Sequence, residues 1–169
     1  MKNYKEYLNE KNPKVLIDMD SYGTIEVELF EECAPITVKN FLKLVDNKFY
    51  DGIIFHRVIE GFMIQGGDPN GIGIGGSKDK IKGEFLSNGI KNELSHSRGV
   101  ISMARTNDPN SASSQFFIMH KDGEFLDGSY AAFGVVTKGI EVVDKIASVK
   151  TDLRDKPLQD VVMKSIRRI

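Results

Sequence analysis

Apolar and polar residues alternate from Lys14 to Asp20 and again from Thr24 to Phe30, on either side of Tyr22-Gly23. That period of two predicts a β-hairpin with Ile25, Val27 and Leu29 inward and Glu26 and Glu28 outward. The period then changes. Val38, Phe41, Leu42, Val45 and Phe49 recur at helical spacing, which predicts a helix over Pro35–Phe49. Pro35 suits its first turn, and Glu31 and Glu32 precede it near the positive end of its dipole. A second hairpin spans Phe55–Asp68. The stretch Asp68–Ser97 is rich in Gly, Ser, Asn and Lys and lacks a period, so it predicts an irregular surface excursion. Short strands are predicted at Gly99–Met103, Gln115–Ile118 and Ala132–Val136. A helix over Ile140–Ala147 carries Ile140, Val143, Ile146 and Ala147 on one stripe, and Leu158–Ile169 closes as a strand. Many short strands, two helices and no repeat predict one mainly β domain, a closed or nearly closed antiparallel sheet with two helices over its ends. Residues 1–13 are a polar N-terminal extension ending at Pro13, and residues 14–169 form the domain.

Composition narrows the function classes. The chain has 169 residues, enough for one domain with a sizeable core. A net charge of −1 argues against a nucleic-acid binder, which shows a basic excess, and Arg167-Arg168 is too short to change that. Cys33 is the only cysteine, so no intrachain disulfide forms, which fits a reducing compartment. Met1–Lys14 has no apolar core of a leader peptide, and no apolar run approaches the ~20 residues that span a bilayer. The expectation is a cytoplasmic protein without membrane contact, and a monomer, since nothing in the sequence suggests an obligate interface.

Arg57 is the residue that most needs an explanation. It lies in Phe55-His56-Arg57-Val58-Ile59-Glu60-Gly61-Phe62-Met63-Ile64-Gln65-Gly66-Gly67-Asp68, a cation among apolar neighbours with no acidic residue in either strand run. A half-buried arginine is costly without a partner or a task. A two-residue loop Glu60-Gly61 requires positive φ at Glu60, a poor choice. A three-residue loop Ile59-Glu60-Gly61 needs only one left-handed residue, supplied by Gly61. That register pairs Arg57 with Met63. It places Phe55, Arg57, Met63 and Gln65 on one face and His56, Val58 and Ile64 on the other.

Other candidate chemistries are weak. Gly71-Ile72-Gly73-Ile74-Gly75-Gly76 matches the dinucleotide fingerprint in letters only, because Ser77-Lys78-Asp79-Lys80 leads on to Gly83 with no helical stripe, so it reads as a turned loop. A nicotinamide-dependent oxidoreductase is therefore a distant alternative. His56, His96 and His120 are scattered without ligand spacing, and no metal or other cofactor is expected. His56 reads as a core histidine with a hydrogen-bond partner. Ser113-Ser114 lacks a nucleophile elbow. Gln115 and Phe117 share a strand face, while Phe117, Phe125 and Leu126 read from spacing alone as core residues.

Taken together, the Phe55–Asp68 segment, Ser102-Met103-Ala104, Ser114-Gln115-Phe116-Phe117-Ile118, Phe125-Leu126-Asp127-Gly128 and Phe133-Gly134 are similar to the cyclophilin-type peptidyl-prolyl cis-trans isomerases. The likeness runs from about Lys14 to Ile166. The short Gly-rich loop and Met-Ala-Arg segment resemble the bacterial single-domain branch. The resemblance implies a closed eight-stranded antiparallel barrel capped by two helices, with the active groove on its outer surface. It implies a rotamase that assists folding by accelerating rotation about Xaa-Pro bonds. Arg57, Phe62, Gln65 and Phe117 take the catalytic positions. Met63, Ala104, Arg105, Thr106, Gln115, Phe125, Leu126 and Tyr130 contact substrate, and the backbone of Arg105 binds it like an added strand. Animal members usually carry Asn, Trp and His where Arg105, Phe125 and Tyr130 stand. The implied partners are proline-containing peptides and flexible or unfolded segments, with cyclosporin bound more weakly than by Trp-bearing members. The alternative function is a proline-peptide binding module or chaperone whose catalysis is incidental.

Overall fold

Alternation produces the first hairpin as the pattern requires. In the computed structural model, which describes residues 1–169, β1 (Lys14–Asp18) pairs with β2 (Thr24–Leu29), and a single 3₁₀ turn at Asp20–Tyr22 connects them. Ile25, Val27 and Leu29 are fully buried. Glu28 departs from the outward expectation and is only 5 % exposed. The N-terminal residues cover its face: the Asn9 N–H and Asn12 Nδ2 both donate to Glu28 Oε2 at 3.0 Å. Residues 1–13 also hold a parallel bridge from Lys2 to Leu94.

The first helix, α1 (Pro35–Asp46), buries Val38, Phe41, Leu42 and Val45. It stops short of Phe49 because Asn47 caps it and Lys48 turns left-handed at φ 58°. Its N-terminal donors are satisfied by Glu84 rather than by Glu31 or Glu32. Glu84 Oε1 accepts the Thr37 N–H at 2.6 Å and the Thr37 hydroxyl at 2.7 Å, and Oε2 accepts the Ile36 N–H at 3.2 Å. Phe41 then packs among Tyr50, Phe116 and Phe133, with ring centroids 5.3 to 5.6 Å away. Such contacts add to the burial of large aromatic surface.

The remaining strands are β3 (Arg57–Ile59), β4 (Met63–Gly66), β5 (Val100–Met103), β6 (Phe116–Met119), β7 (Ala132–Lys138) and β8 (Ser165–Arg168), with α2 (Ile140–Ala147) after β7. All eight join one antiparallel sheet in the order β3-β4-β6-β5-β7-β2-β1-β8. The sheet is curled but open, which corrects the closed barrel expected from the sequence. No ladder joins β3 to β8. The strand expected over Leu158–Ile169 is shortened to four residues, because the segment before Ser165 makes only an isolated bridge, Val162 to Ile54, instead of a continuous ladder. Single backbone bonds bridge the seam instead: Gly52 N–H to Met163 O at 2.8 Å, Met163 N–H to Ile53 O at 2.9 Å and Phe55 N–H to Val161 O at 2.9 Å. No helix is long and apolar enough to cross a membrane.

Candidate active site

The second hairpin pairs Ile59 with Met63, Val58 with Ile64 and Arg57 with Gln65. Its connection is Glu60-Gly61-Phe62, one residue later than expected, so Arg57 opposes Gln65 rather than Met63. Two bonds set this register. The Phe62 N–H donates to Ile59 O at 3.0 Å across a turn in which Gly61 has φ 81°. The Phe62 carbonyl accepts the His120 N–H at 2.8 Å, which draws Phe62 out of the hairpin. A shift of two residues preserves face alternation, so Arg57, Met63 and Gln65 still lie together. Phe55 does not join them. It precedes the strand, is fully buried and meets Phe116 edge-on at 6.0 Å.

The face so built forms a small cavity of about 150 Å³. Arg57, Phe62, Met63 and Gln65 of the hairpin line one part, Ala104 and Arg105 follow β5, Phe117 comes from β6, and Leu126 and Tyr130 complete the wall. Met63 is 1 % and Phe117 5 % exposed, so the apolar floor is fixed by packing. Arg57 is exposed rather than half-buried, and it forms no ion pair. Its Nη1 reaches Gln65 Oε1 at 3.3 Å. Gln65 Nε2 donates to Gln115 Oε1 at 3.0 Å, and Gln115 Nε2 donates to Gly75 O at 2.8 Å. This amide relay orients the guanidinium without neutralising it.

Thr106 and Gln115 line an adjacent cavity of about 290 Å³ along the Gly73–Ser77 segment, also bordered by Ala104 and Arg105. The Arg105 guanidinium is tied into the fold: it lies 4.8 Å from the Phe85 ring and 4.7 Å from the Tyr130 ring, and donates twice to Ser129 O. The Arg105 backbone N–H and carbonyl have no partner within the protein. Phe125 is 74 % exposed and lines neither cavity, but its ring packs 5.5 Å from Phe62. Phe125 is therefore not core, whereas Leu126, 8 % exposed, is both core and cavity wall.

Sequence reasoning missed the residues behind the groove. His96 is fully buried and stacks at 6.0 Å under Phe117. Its Nδ1 lies 2.9 Å from Asp127 Oδ1 and its Nε2 2.9 Å from Ser102 Oγ. Burial holds its pKa below the usual imidazole range, although Asp127 pulls the other way. His120 supports the Phe62 turn. Its Nδ1 accepts the Gly61 N–H at 2.9 Å, and its Nε2 faces Asp144 Oδ1 at 3.0 Å, while Asp144 grips Arg98 with both oxygens. No local motif marks either histidine, because each partner is distant in sequence.

His56 is buried, as expected, but neither ring nitrogen has a hydrogen-bond partner. The Gly-rich segment is a tight loop wound on Asp68. The Asp68 carboxylate accepts the N–H groups of Asn70, Ile72, Gly73 and Gly75 at 2.7 to 3.1 Å. Burial raises its pKa, but these four donors outweigh it and hold the carboxyl below its ordinary range. The loop thus already encloses an anion of its own. No cluster of His, Cys, Asp and Glu is arranged to hold a metal ion.

An unpaired guanidinium over a packed apolar floor, on a curled eight-stranded sheet with two helices, defines a class that the comparisons identify. The family model described as cyclophilin type peptidyl-prolyl cis-trans isomerase matches residues 14–168. A peptidyl-prolyl cis-trans isomerase of Acinetobacter baylyi is 49 % identical over 136 residues, covering 76 % of this chain and 69 % of the relative. Peptidyl-prolyl cis-trans isomerase A of Dickeya dadantii is 46 % identical over 151 residues, covering 86 % and 77 %. The crystal structure of a Cryptosporidium parvum cyclophilin type peptidyl-prolyl cis-trans isomerase superposes with a TM-score of 0.86 at 35 % identity, covering 94 % of this chain and 98 % of that one. A second structure of that protein, in the presence of the dipeptide Ala-Pro, gives 0.84 at 35 % identity, covering 92 % and 98 %. The chain belongs to the cyclophilin-type peptidyl-prolyl cis-trans isomerases and is a rotamase.

Proposed function

We propose that the groove seats a proline ring between Phe62, Met63, Phe117 and Leu126 and drives rotation of the preceding peptide bond with Arg57. The observation that carries this reading is the Arg57 guanidinium, free of any ion pair beside the apolar floor and aimed only by Gln65. The planar bond has partial double-bond character and a barrier of ~18–20 kcal/mol. Twisting breaks conjugation and localises a lone pair on the proline nitrogen. A donor directed at that nitrogen stabilises the twisted amide more than the planar one, which is what lowers a barrier. An acceleration of about 10⁵-fold needs only ~7 kcal/mol of such differential stabilisation. No proton transfer or covalent intermediate enters.

The unpaired backbone N–H and carbonyl of Arg105 fit the role of an added-strand contact to the residues before the proline. Thr106 and Gln115 line the cavity those residues enter. The Ala-Pro dipeptide used with the Cryptosporidium relative supports proline peptides as the ligand class. Clients are flexible or unfolded segments presenting Xaa-Pro bonds. Cyclosporin binds weakly, because Phe125 offers no indole N–H.

NMR exchange spectroscopy on a short Ala-Pro peptide tests the activity directly. Substoichiometric protein should produce cis–trans exchange cross-peaks on a timescale where the free peptide shows none. Peptide binding without such exchange would make the groove a recognition site instead.

A further inference from the structure

A third cavity, of about 500 Å³, adjoins the groove at Arg57 and Gln65. Its lining is polar. Arg57, Arg154 and Lys156 face it, with Asp152 the only carboxylate and His56 in its wall. None of the three cations forms an ion pair. Elsewhere the chain pairs its arginines with care: Arg98, Arg167 and Arg168 each hold a carboxylate with two hydrogen bonds. The protein carries a net charge of −1, so a concentration of unpaired positive charge beside the groove runs against its overall balance.

The segment that brings Arg154 and Lys156 here is built rather than loose. Thr151 pairs with Pro157, the Asp152 N–H donates to Lys156 O at 2.8 Å, and Asp155 takes a left-handed φ of 65°. The Asp155 carbonyl accepts the Val58 N–H at 2.7 Å, which fastens the segment to β3 beside Arg57. Asp152 Oδ1 accepts the Arg154 and Lys156 N–H groups at 2.8 and 3.1 Å, so it is engaged within its own turn. Asp68 is likewise spent on backbone donors. His56 is 6 % exposed and both of its ring nitrogens lack a partner in the protein. The wall therefore offers cationic donors, and its one carboxylate is turned to structural use.

We infer that this cavity is a specificity subsite for a carboxylate side chain of the client, an Asp or Glu within a few residues of the isomerised proline. The inference rests on the proline groove proposed above. A peptide held there with its Xaa-Pro bond at Arg57 places neighbouring residues within reach of the cavity, since each residue extends the chain by at most ~3.6 Å. Exposed charge pairs are individually weak, so two or three acting together give a preference of about three- to tenfold.

The test uses two series of Xaa-Pro peptides, alanine-based, with Glu or Gln at each of the three positions on either side of the proline. Exchange spectroscopy at low salt gives the kcat/KM ratio of each Glu and Gln pair. At one position or more the wild type should favour Glu about three- to tenfold. That ratio should fall to near one in Arg154→Gln/Lys156→Gln, reverse in Arg154→Glu/Lys156→Glu, and collapse for the wild type in about 0.5 M salt, where screening is strong. Equal turnover of Glu and Gln peptides at every position, or a preference indifferent to both salt and the substitutions, overturns the subsite. Wild type that isomerises neither series overturns the proposed function itself, and the subsite with it.

Discussion

Arg57 is left with one 3.3 Å contact to an amide, while Arg98, Arg167 and Arg168 each bind both oxygens of an aspartate. An arginine committed to a carboxylate has little to offer a developing lone pair; one held by Gln65 keeps its donors available. A lysine would keep the charge but lose the planar fork. Arg57→Lys should therefore lower kcat/KM on an Ala-Pro peptide at least about tenfold while leaving the unfolding midpoint unchanged. Near-normal turnover by that variant would mean charge alone suffices. Phe125 makes a second case. It is exposed and packs on Phe62, so its replacement should be tolerated. Phe125→Trp should tighten cyclosporin binding by about fivefold or more, the worth of one added hydrogen bond, in a calorimetric titration. Equal affinity of the two proteins would show that Phe125 does not set cyclosporin affinity. The outer-face residues of the groove could be read from the sequence because a three-residue turn, at either of its two positions, groups Arg57, Met63 and Gln65. His96 and His120 could not, since their effect depends on Asp127, Ser102, Asp144 and Gly61, which only the fold brings near.

The elements that hold the groove depend on a few long-range bonds. Sequence periodicity placed α1, α2 and the strands well, because the buried stripes are strong and the turn residues clear. It misjudged their ends. The hairpin register is set by the His120 N–H donating to the Phe62 carbonyl, which has no local signature, and α1 ends at Asp46 rather than Phe49, where Asn47 caps it and Lys48 turns left-handed. Glu84 is 2 % exposed and satisfies three donors of α1. Glu84→Ala should cost about 2–3 kcal/mol in denaturant unfolding, the sum of a lost cap and buried donors left unpaired. A loss below about 0.5 kcal/mol would show that water replaces it. Gly61 tests the turn in the same way. An added Cβ there meets no atom within 4 Å, so Gly61→Ala suffers only from its φ of 81°. It should lose ~1–2 kcal/mol of stability. Activity should fall further than stability, because Phe62 follows in the chain.

Across the whole molecule the sheet curls without closing, and single backbone bonds between residues 52–55 and 161–163 hold the seam. The hairpin at Thr151–Pro157, which precedes the last strand, delivers Arg154 and Lys156 to the cavity beside Arg57. Two of the three buried histidines, His56 and His96, give the molecule a pH dependence. Burial is the main reason that His56 and His96 both titrate below the ordinary 6.5 in the folded protein. The unfolded chain binds protons near pH 6.5 that the folded chain refuses, so stability is complete above that pH and is lost as pH falls through 6.5 toward the depressed values. Carboxylates held below 3.8, such as Asp68 and Asp144, add their loss only at lower pH. The thermal midpoint should therefore decline between pH 7 and about 5, and less steeply in His56→Gln. A flat or rising midpoint over that interval would show that the histidines find partners when protonated.

The central claim is that Arg57 acts on the twisted amide rather than on the bound peptide. It is tested by measuring affinity and turnover together, with wild type and Arg57→Ala in the same Ala-Pro peptide titration followed by NMR line shape and exchange. The account predicts that the variant binds the peptide within about threefold of wild type and isomerises it at least about 100-fold more slowly, the scale of losing one oriented donor. Undiminished exchange, or a loss of turnover fully explained by weaker binding, would contradict it.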